Sequence, residues 1–191
     1  MFSPANMFPY NRKLRDTGRN KIETTSKTPT STNTAIISPV SEGTLRVAVK
    51  KIEGGVFSTY VNTELQAGDI LDVMSPTGRF HTALDPERAR HHVAVVAGSG
   101  ITPLMSIIAT TLEVEPRSRF TLVYGNRTAA STMFAAELDQ LVGSTDRLTV
   151  HHVRSRDAAD VSASARAGRI TPSLVQELVT EPADTWFLCG P

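Results

Sequence analysis

With 191 residues the chain has room for one ordinary domain or two small ones, long enough to bury a core without covalent staples. Its single cysteine, Cys189, excludes an internal disulfide, a thiolate zinc site and a cysteine-held iron–sulfur cluster, and a reducing, cytoplasmic setting is expected. Twenty basic against nineteen acidic side chains leave a charge of +1, so no overall field draws the chain to nucleic acid or to a membrane surface.

No apolar run approaches the roughly 20 residues of a membrane span, and Met1–Tyr10 lacks the apolar stretch of a secretory leader. From Met1 to about Ala35 the chain carries Arg12, Lys13, Arg15, Arg19, Lys21 and Lys27 and then a Thr/Ser tract, Thr24 to Thr34. Little there can bury a face, so residues 1–35 read as a disordered basic tail, with an organelle presequence as the alternative. Order is expected from Ile36. Leu45, Val47 and Val49 alternate with Arg46 and Lys50, the pattern of a half-buried strand with Leu45, Val47 and Val49 inward. Gly54-Gly55 breaks it, and Asp69–Met74 follows as a second extended run that Pro76–Gly78 ends. Short β runs punctuated by turns predict a partial antiparallel barrel over residues 36–87.

Beyond about Arg88 the pattern changes. Val93–Ala97 is an unbroken apolar strand of the kind covered on both faces. A helix is predicted from Thr102 as N-cap, with Pro103 at its first position and Leu104, Ile107, Ile108 and Leu112 as its buried stripe. Strand Phe120–Tyr124, helix Thr132–Leu141 and strand Leu148–Val153 follow. A loose Ala/Ser/Arg loop, Asp157–Gly168, leads to a helix Pro172–Val179 capped by Thr171 and a last strand Thr185–Cys189. This alternation predicts an α/β domain over residues 88–191 built on a doubly wound parallel sheet.

The strongest local signal is Gly98-Ser99-Gly100-Ile101-Thr102-Pro103 between a buried strand and a helix. Glycines there let backbone approach a pyrophosphate, and the helix end supplies positive potential. Pro103 stands where the third glycine of the common dinucleotide fingerprint would be, and a tight turn needing positive φ is the other reading. After the second strand, Asn126-Arg127 replaces the acidic residue that commonly holds an NAD ribose; Arg127 suits a 2'-phosphate or is a solvated loop arginine. Cys189-Gly190-Pro191 ends the last strand at the same edge, where the thiol borders a nicotinamide or is a buried structural group. Gly54-Gly55-Val56-Phe57-Ser58, beside Lys50-Lys51, forms either a second anion site or a hairpin turn. His91-His92 and His151-His152 are not metal pairs, because neighbours on a strand point to opposite faces. No metal site is expected.

Taken in order, Leu45–Lys50, Gly54–Ser58, Pro76–Phe80, Gly98–Pro103, Tyr124–Arg127 and Cys189–Pro191 resemble the ferredoxin–NADP reductase superfamily. Within it the chain is similar to reductase components of multicomponent oxygenases, most of all the phenylacetyl-CoA oxygenase type, which Phe120–Leu141 matches well. The resemblance implies a barrel binding FAD, an α/β domain binding NADP, and electrons passing from NADPH, preferred over NADH, through FAD to a ferredoxin or an oxygenase component. It also implies roles by position. Val49, Lys50, Gly54, Gly55, Val56 and Ser58 would contact the FAD, with Thr102 near its ring. Gly98, Ser99, Gly100, Ile101, Thr102 and Pro103 would bind the pyridine nucleotide, Asn126 and Arg127 its adenosine end, and Cys189, Gly190 and Pro191 its nicotinamide; Thr102 and Cys189 would be the residues at the reacting centre. Where the family carries Arg-x-Tyr-Ser the chain reads Thr32-Asn33-Thr34-Ala35, and measured against the family it reads as shortened at both ends. A flavin-free nucleotide-binding protein and an interaction protein using the basic tail are the competing readings.

Overall fold

The structure, a computed structural model, describes residues 9–10, 35–36, 39, 41, 45–49, 51, 53–66, 69, 79–157 and 165–190. In the N-terminal part, β1 (Pro9–Tyr10), β2 (Ala35–Ile36) and β3 (Leu45–Ala48) form an antiparallel sheet in the order β1-β3-β2. Pro9 and Tyr10 sit opposite Arg46 and Leu45, so the segment expected to be a free tail supplies a strand pairing at that point. The inward side of β3 also differs from the alternation: Val47 is 38% exposed, whereas Ala48 on the other face packs against the main core. The reason is the neighbour, because β2 beside it lies against a helix of the C-terminal part. The second extended run, Asp69–Met74, lies outside the described residues apart from Asp69.

The turn at Gly54, with φ +72°, leads not into a hairpin strand but into a helix, α1 (Val56–Thr63). Its sequence, Val-Phe-Ser-Thr-Tyr-Val-Asn-Thr, is rich in β-branched and aromatic residues that favour strands, so propensity hides it. Tertiary contacts decide instead. Ser58 and Val61 are buried, and the Asn62 side chain donates to the carbonyl of Val49 at 3.2 Å, tying α1 to the end of the β3 segment.

From residue 91 the order is β4 (His91–Ala97), α2 (Ile101–Val114), β5 (Arg119–Asn126), α3 (Ala135–Ser144), β6 (Leu148–Arg154), β7 (Ala165–Ala167), α4 (Pro172–Leu178) and β8 (Thr185–Cys189). All five strands are parallel, in the order β7-β6-β5-β4-β8, so the expected parallel α/β sheet is present. The strand β7 falls inside the segment expected to be a loose loop; it is a three-residue edge too short to leave a pattern. Helix α3 starts later than Thr132 because a Thr128 capping box closes a short turn at Ala129–Ser131, and Phe134, at φ 57°, redirects the chain before the helix begins.

The core lies on one face of the sheet. Ala94, Val96, Leu122 and Tyr124 meet Ile101, Leu104, Ile108 and Leu112 of α2, with Leu138 of α3 beside them. Residues of the opposite strand phase, His91, Thr121, Thr149 and His151, face the end of α4 across a small cavity. Helices on both faces with the sequence returning to the far side of β4 put the reversal of strand order between β4 and β8. That is where open α/β sheets place a ligand. Among the described residues no helix is long and apolar enough to cross a membrane.

Candidate functional site

At the carboxyl end of β4 the chain tightens into a single 3-10 turn, Gly98–Gly100, that runs directly into α2. Gly98 has φ +53°, a conformation that side chains rarely adopt. Gly100 is required for a different reason: a Cβ there would collide with the carbonyl of Cys189 and stand 2.9 Å from the nitrogen of Gly190. Reciprocally, Gly190 has φ +152°, and a Cβ on it would lie 3.0 Å from the nitrogen of Ala97. The two loops at the reversal point therefore touch backbone to backbone, which only glycine permits. The Ile101 N–H is taken by the carbonyls of the turn, so the nitrogens ahead of it, at the start of the turn, are the ones that leave positive potential at that rim.

Thr102 is not the N-cap. It lies inside the first turn of α2, almost fully buried, and its hydroxyl donates to the carbonyl of Ser99 at 2.8 Å. A threonine that bonds back to a loop carbonyl holds the turn's shape, so the capping position passes to Gly100. Pro103 is the third helical residue, where a missing N–H costs nothing. Ile101 is completely buried.

The second strand supports the same turn. Tyr124 is fully buried, and its hydroxyl lies 3.2 Å from the carbonyl of Gly98 and 3.3 Å from that of Met133, donating to this pair of acceptors. Burial pushes the phenol up to about 12, against the side chain of Asn126 and the Met133 carbonyl, so it remains a neutral donor at any physiological pH. Gly125 leaves the space that the Ile170 side chain fills. Asn126 ends β5 half-buried, and Arg127 follows it in the open.

Cys189 is a free, half-buried thiol that packs against the α2 core, while its backbone forms the rim with Gly190. The nucleotide-side residues singled out from the sequence, Gly98 to Pro103, Asn126, Arg127, Cys189 and Gly190, thus gather along one sheet edge. Pro191 and Lys50 lie outside the described residues. On the N-terminal side, Val49 and α1 with Gly54, Gly55, Val56 and Ser58 come together through Asn62; Gly55 is the helix cap, so these residues form a helix start rather than a hairpin.

Sequence reasoning missed Arg156. It follows β6, is exposed, and its N–H donates to the Arg127 carbonyl at 2.8 Å, so two guanidinium side chains leave adjacent backbone positions beyond the ends of β5 and β6. Arg156 falls between the strand expected to end at Val153 and the loop expected from Asp157, so no element or motif singles it out. Asp157 has its own task, accepting from the N–H of Ala129 at 3.0 Å. The histidine pairs do split between faces. His91 bonds Pro182 and Thr121 on the α4 side, while His92 stacks on Phe120 at 4.7 Å in the α2 core. Burial lowers His151, helped by Arg166, and lowers His152, helped by Arg154. Among the described residues no group of three or more metal-ligating side chains occurs.

Two families of known proteins match the chain. Residues 95–191 match the family described as Oxidoreductase NAD-binding domain, and residues 20–82 match that described as Oxidoreductase FAD-binding domain. The chain is 42% identical over 155 residues to a 1,2-phenylacetyl-CoA epoxidase component from Escherichia coli, covering 78% of this chain and 43% of that protein. It is 35% identical over 156 residues to "3-ketosteroid-9-alpha-monooxygenase, ferredoxin reductase component" of Mycobacterium tuberculosis, covering 81% of this chain and 40% of that one. The chain therefore spans less than half the length of these two curated relatives. Among solved structures, the cytochrome b5 reductase domain of Ulva prolifera nitrate reductase superposes with a TM-score of 0.63 at 25% identity, over 78% of this chain and 64% of that domain. A parallel sheet with a glycine-built rim at its switch point and matches to both domain families lead to one assignment: the chain belongs to the oxidoreductase NAD-binding domain family, of the ferredoxin–NADP reductase type, with an FAD-binding domain ahead of it.

Proposed function

We propose that this chain is the flavin- and nucleotide-binding part of a reductase that passes electrons from NADPH through FAD to an iron–sulfur or oxygenase partner in a reducing, cytoplasmic setting. The observation that carries the reading is the rim at the switch point of the parallel sheet, where Gly98–Gly100 and Cys189–Gly190 pack backbone against backbone and leave no room for a Cβ on Gly100. The rim would hold the nucleotide, which would supply a hydride, and the N-terminal part would hold FAD, which would accept it and allow the electrons to leave singly. The protein's part is to hold and orient. In the loop Gly98–Pro103 the backbone N–H groups ahead of Ile101, those of Gly98, Ser99 and Gly100, are the donors we assign to the pyrophosphate, with Tyr124 fixing the turn from below and Ile101 and Pro103 shaping the helix start. Thr102 sets the loop's shape, and Cys189, Gly190 and Pro191 border the nicotinamide.

Arg127, joined by Arg156 and flanked by Asn126, is the group we assign to the adenosine 2'-phosphate, and this favours NADPH over NADH. On the other side, we assign the FAD phosphates to the start of α1 at Gly54, Gly55, Val56 and Ser58 and, by resemblance, to Val49 and Lys50, in a barrel-type FAD-binding part that meets the nucleotide domain at 87–88. Likeness to oxygenase reductase components supports a ferredoxin or oxygenase component as the electron acceptor.

The test is visible absorbance of the purified chain after incubation with FAD and removal of the unbound excess, followed by anaerobic addition of NADPH. Near one flavin per chain, bleached by NADPH, is expected. No retained flavin together with retained NADPH would reduce the reading to a nucleotide-binding protein.

A further inference from the structure

Glu115 is completely buried at the C-terminal end of α2, yet it carries a charge. It accepts from the Arg90 guanidinium through both Nε and Nη2, from the Ser118 hydroxyl at 2.6 Å and from the Asp85 N–H at 3.1 Å. Burial alone would raise its carboxyl group, but these donors overcome that and hold it down at about 2. Arg90 spends its remaining donors on the linker itself: Nη1 reaches the Thr82 hydroxyl at 3.1 Å and Nη2 the Ala83 carbonyl at 2.8 Å. Its backbone N–H donates to Ser118 at 2.9 Å. Residues 82–90 are thus wound around one guanidinium and fastened to the end of α2.

An apolar pair would hold such a joint together as well as a buried ion pair, whose desolvation consumes most of its attraction. What directional bonds add is fixed geometry. The geometry matters here because α2 is the element both parts share. Its first turn is the nucleotide rim, and its flank receives Ser41, which donates to Glu113 at 2.6 Å. Its far end is anchored again by Arg147, which donates to the carbonyls of Leu112, Glu115 and Ser118. Phe80, at the start of the linker, meets Phe187 of β8 edge-on at 5.7 Å.

We propose that Arg90 and Glu115 are a positioning pair, which locks the linker of residues 79–90 onto α2 and so sets the spacing between the flavin-side helix start and the nucleotide rim. Its effect on electron transfer rests on the reductase reading above; its effect on the linker does not. The pair touches neither cofactor and acts only through α2.

Glu115→Gln and Arg90→Lys in the full chain test this, each keeping size while loosening the lock, and Arg90→Lys suffices should Glu115→Gln fail to fold. Amide exchange over residues 79–90 is expected to quicken at least tenfold while β4 to β6 keep their protection. The NADPH dissociation constant should stay within about threefold, and single-turnover flavin reduction at saturating NADPH should slow at least tenfold. Equal loss of protection in β4 to β6 would make the pair an ordinary core element and overturn the proposal. So would unchanged exchange in the linker, or an unchanged reduction rate once the linker is loosened. A wild-type chain that never reduces flavin would sink the reductase reading alone, and the exchange arm would still decide the lock.

Discussion

The two parts of the molecule hold themselves together in different ways. The C-terminal part has five strands in register and a continuous core in which Ile101, Leu104, Ile108 and Leu122 are wholly shielded from water. The described N-terminal part has two strands of two residues, one of four and a helix whose buried residues are Ser58 and Val61. Its order is borrowed through β2, Ser41 and the linker, which meet α2, and through Ala48, which packs against the main core. The lesson is that one helix carries the packing of its own domain, contacts with the N-terminal sheet and the linker, and the glycine turn.

That contrast can be broken by paired substitutions. Ile108→Ala should cost about 4 kcal/mol, since a wholly buried aliphatic side chain is removed from a core that cannot collapse around the gap. Val61→Ala in α1 should cost about 1 kcal/mol in the same chemical denaturation measurement. Equal costs would mean that the N-terminal part has a core of comparable strength.

Gly100→Ala probes the joint between β4 and β8. It should destabilise the chain by about 3 kcal/mol and abolish NADPH binding by titration, because the obstructing atoms are backbone. Gly143→Ala, where a Cβ meets open space, is the control and should stabilise α3 by about 1 kcal/mol or less.

Acid should loosen the shared helix in two stages. Burial lowers His92, His151 and His152, so below their ordinary value of 6.5 the unfolded chain binds more protons than the folded one and stability falls as pH falls. Glu115, held at about 2 against an ordinary 4.5, contributes about 3 kcal/mol that is present above pH 4.5 and lost on descending towards pH 2. Urea denaturation across pH should show both slopes, and Glu115→Gln should erase the lower one.

The smallest effect sharpens the specificity assignment. Arg127→Ala should weaken NADPH binding by about 2 kcal/mol with little change for NADH, as expected for a lost charged hydrogen bond, and Arg156→Ala should act in the same direction. Equal loss for both nucleotides would make these arginines structural, and no loss for either would make them solvated loop residues.

Much of the C-terminal part is legible in the residues. Val93–Ala97 announces a buried strand by its unbroken apolar run, and Leu104, Ile108 and Leu112 share a face because helical periodicity puts them there. The helix α1 escapes for the opposite reason: its residues favour extension, and burial of Val61 with the Asn62 bond to Val49 overrides them. The Arg90–Glu115 pair is invisible for a third reason. Charged residues far apart in sequence carry no periodic signal, and glutamate at a helix end ordinarily faces water. The glycine rim was readable as a turn, but that Gly100 needs its bareness for the Cys189 carbonyl is a long-range fact.

That rim has a consequence for how the protein is made. The turn at Gly98–Gly100 is synthesised early, whereas Cys189 and Gly190, which complete it, arrive with the last strand. Loop-closure entropy must be overcome before β8 can pair with β4, a contact between distant parts of the chain. On a ribosome, then, the sheet through β6 can assemble before Cys189 and Gly190 are made, while the glycine rim is still open.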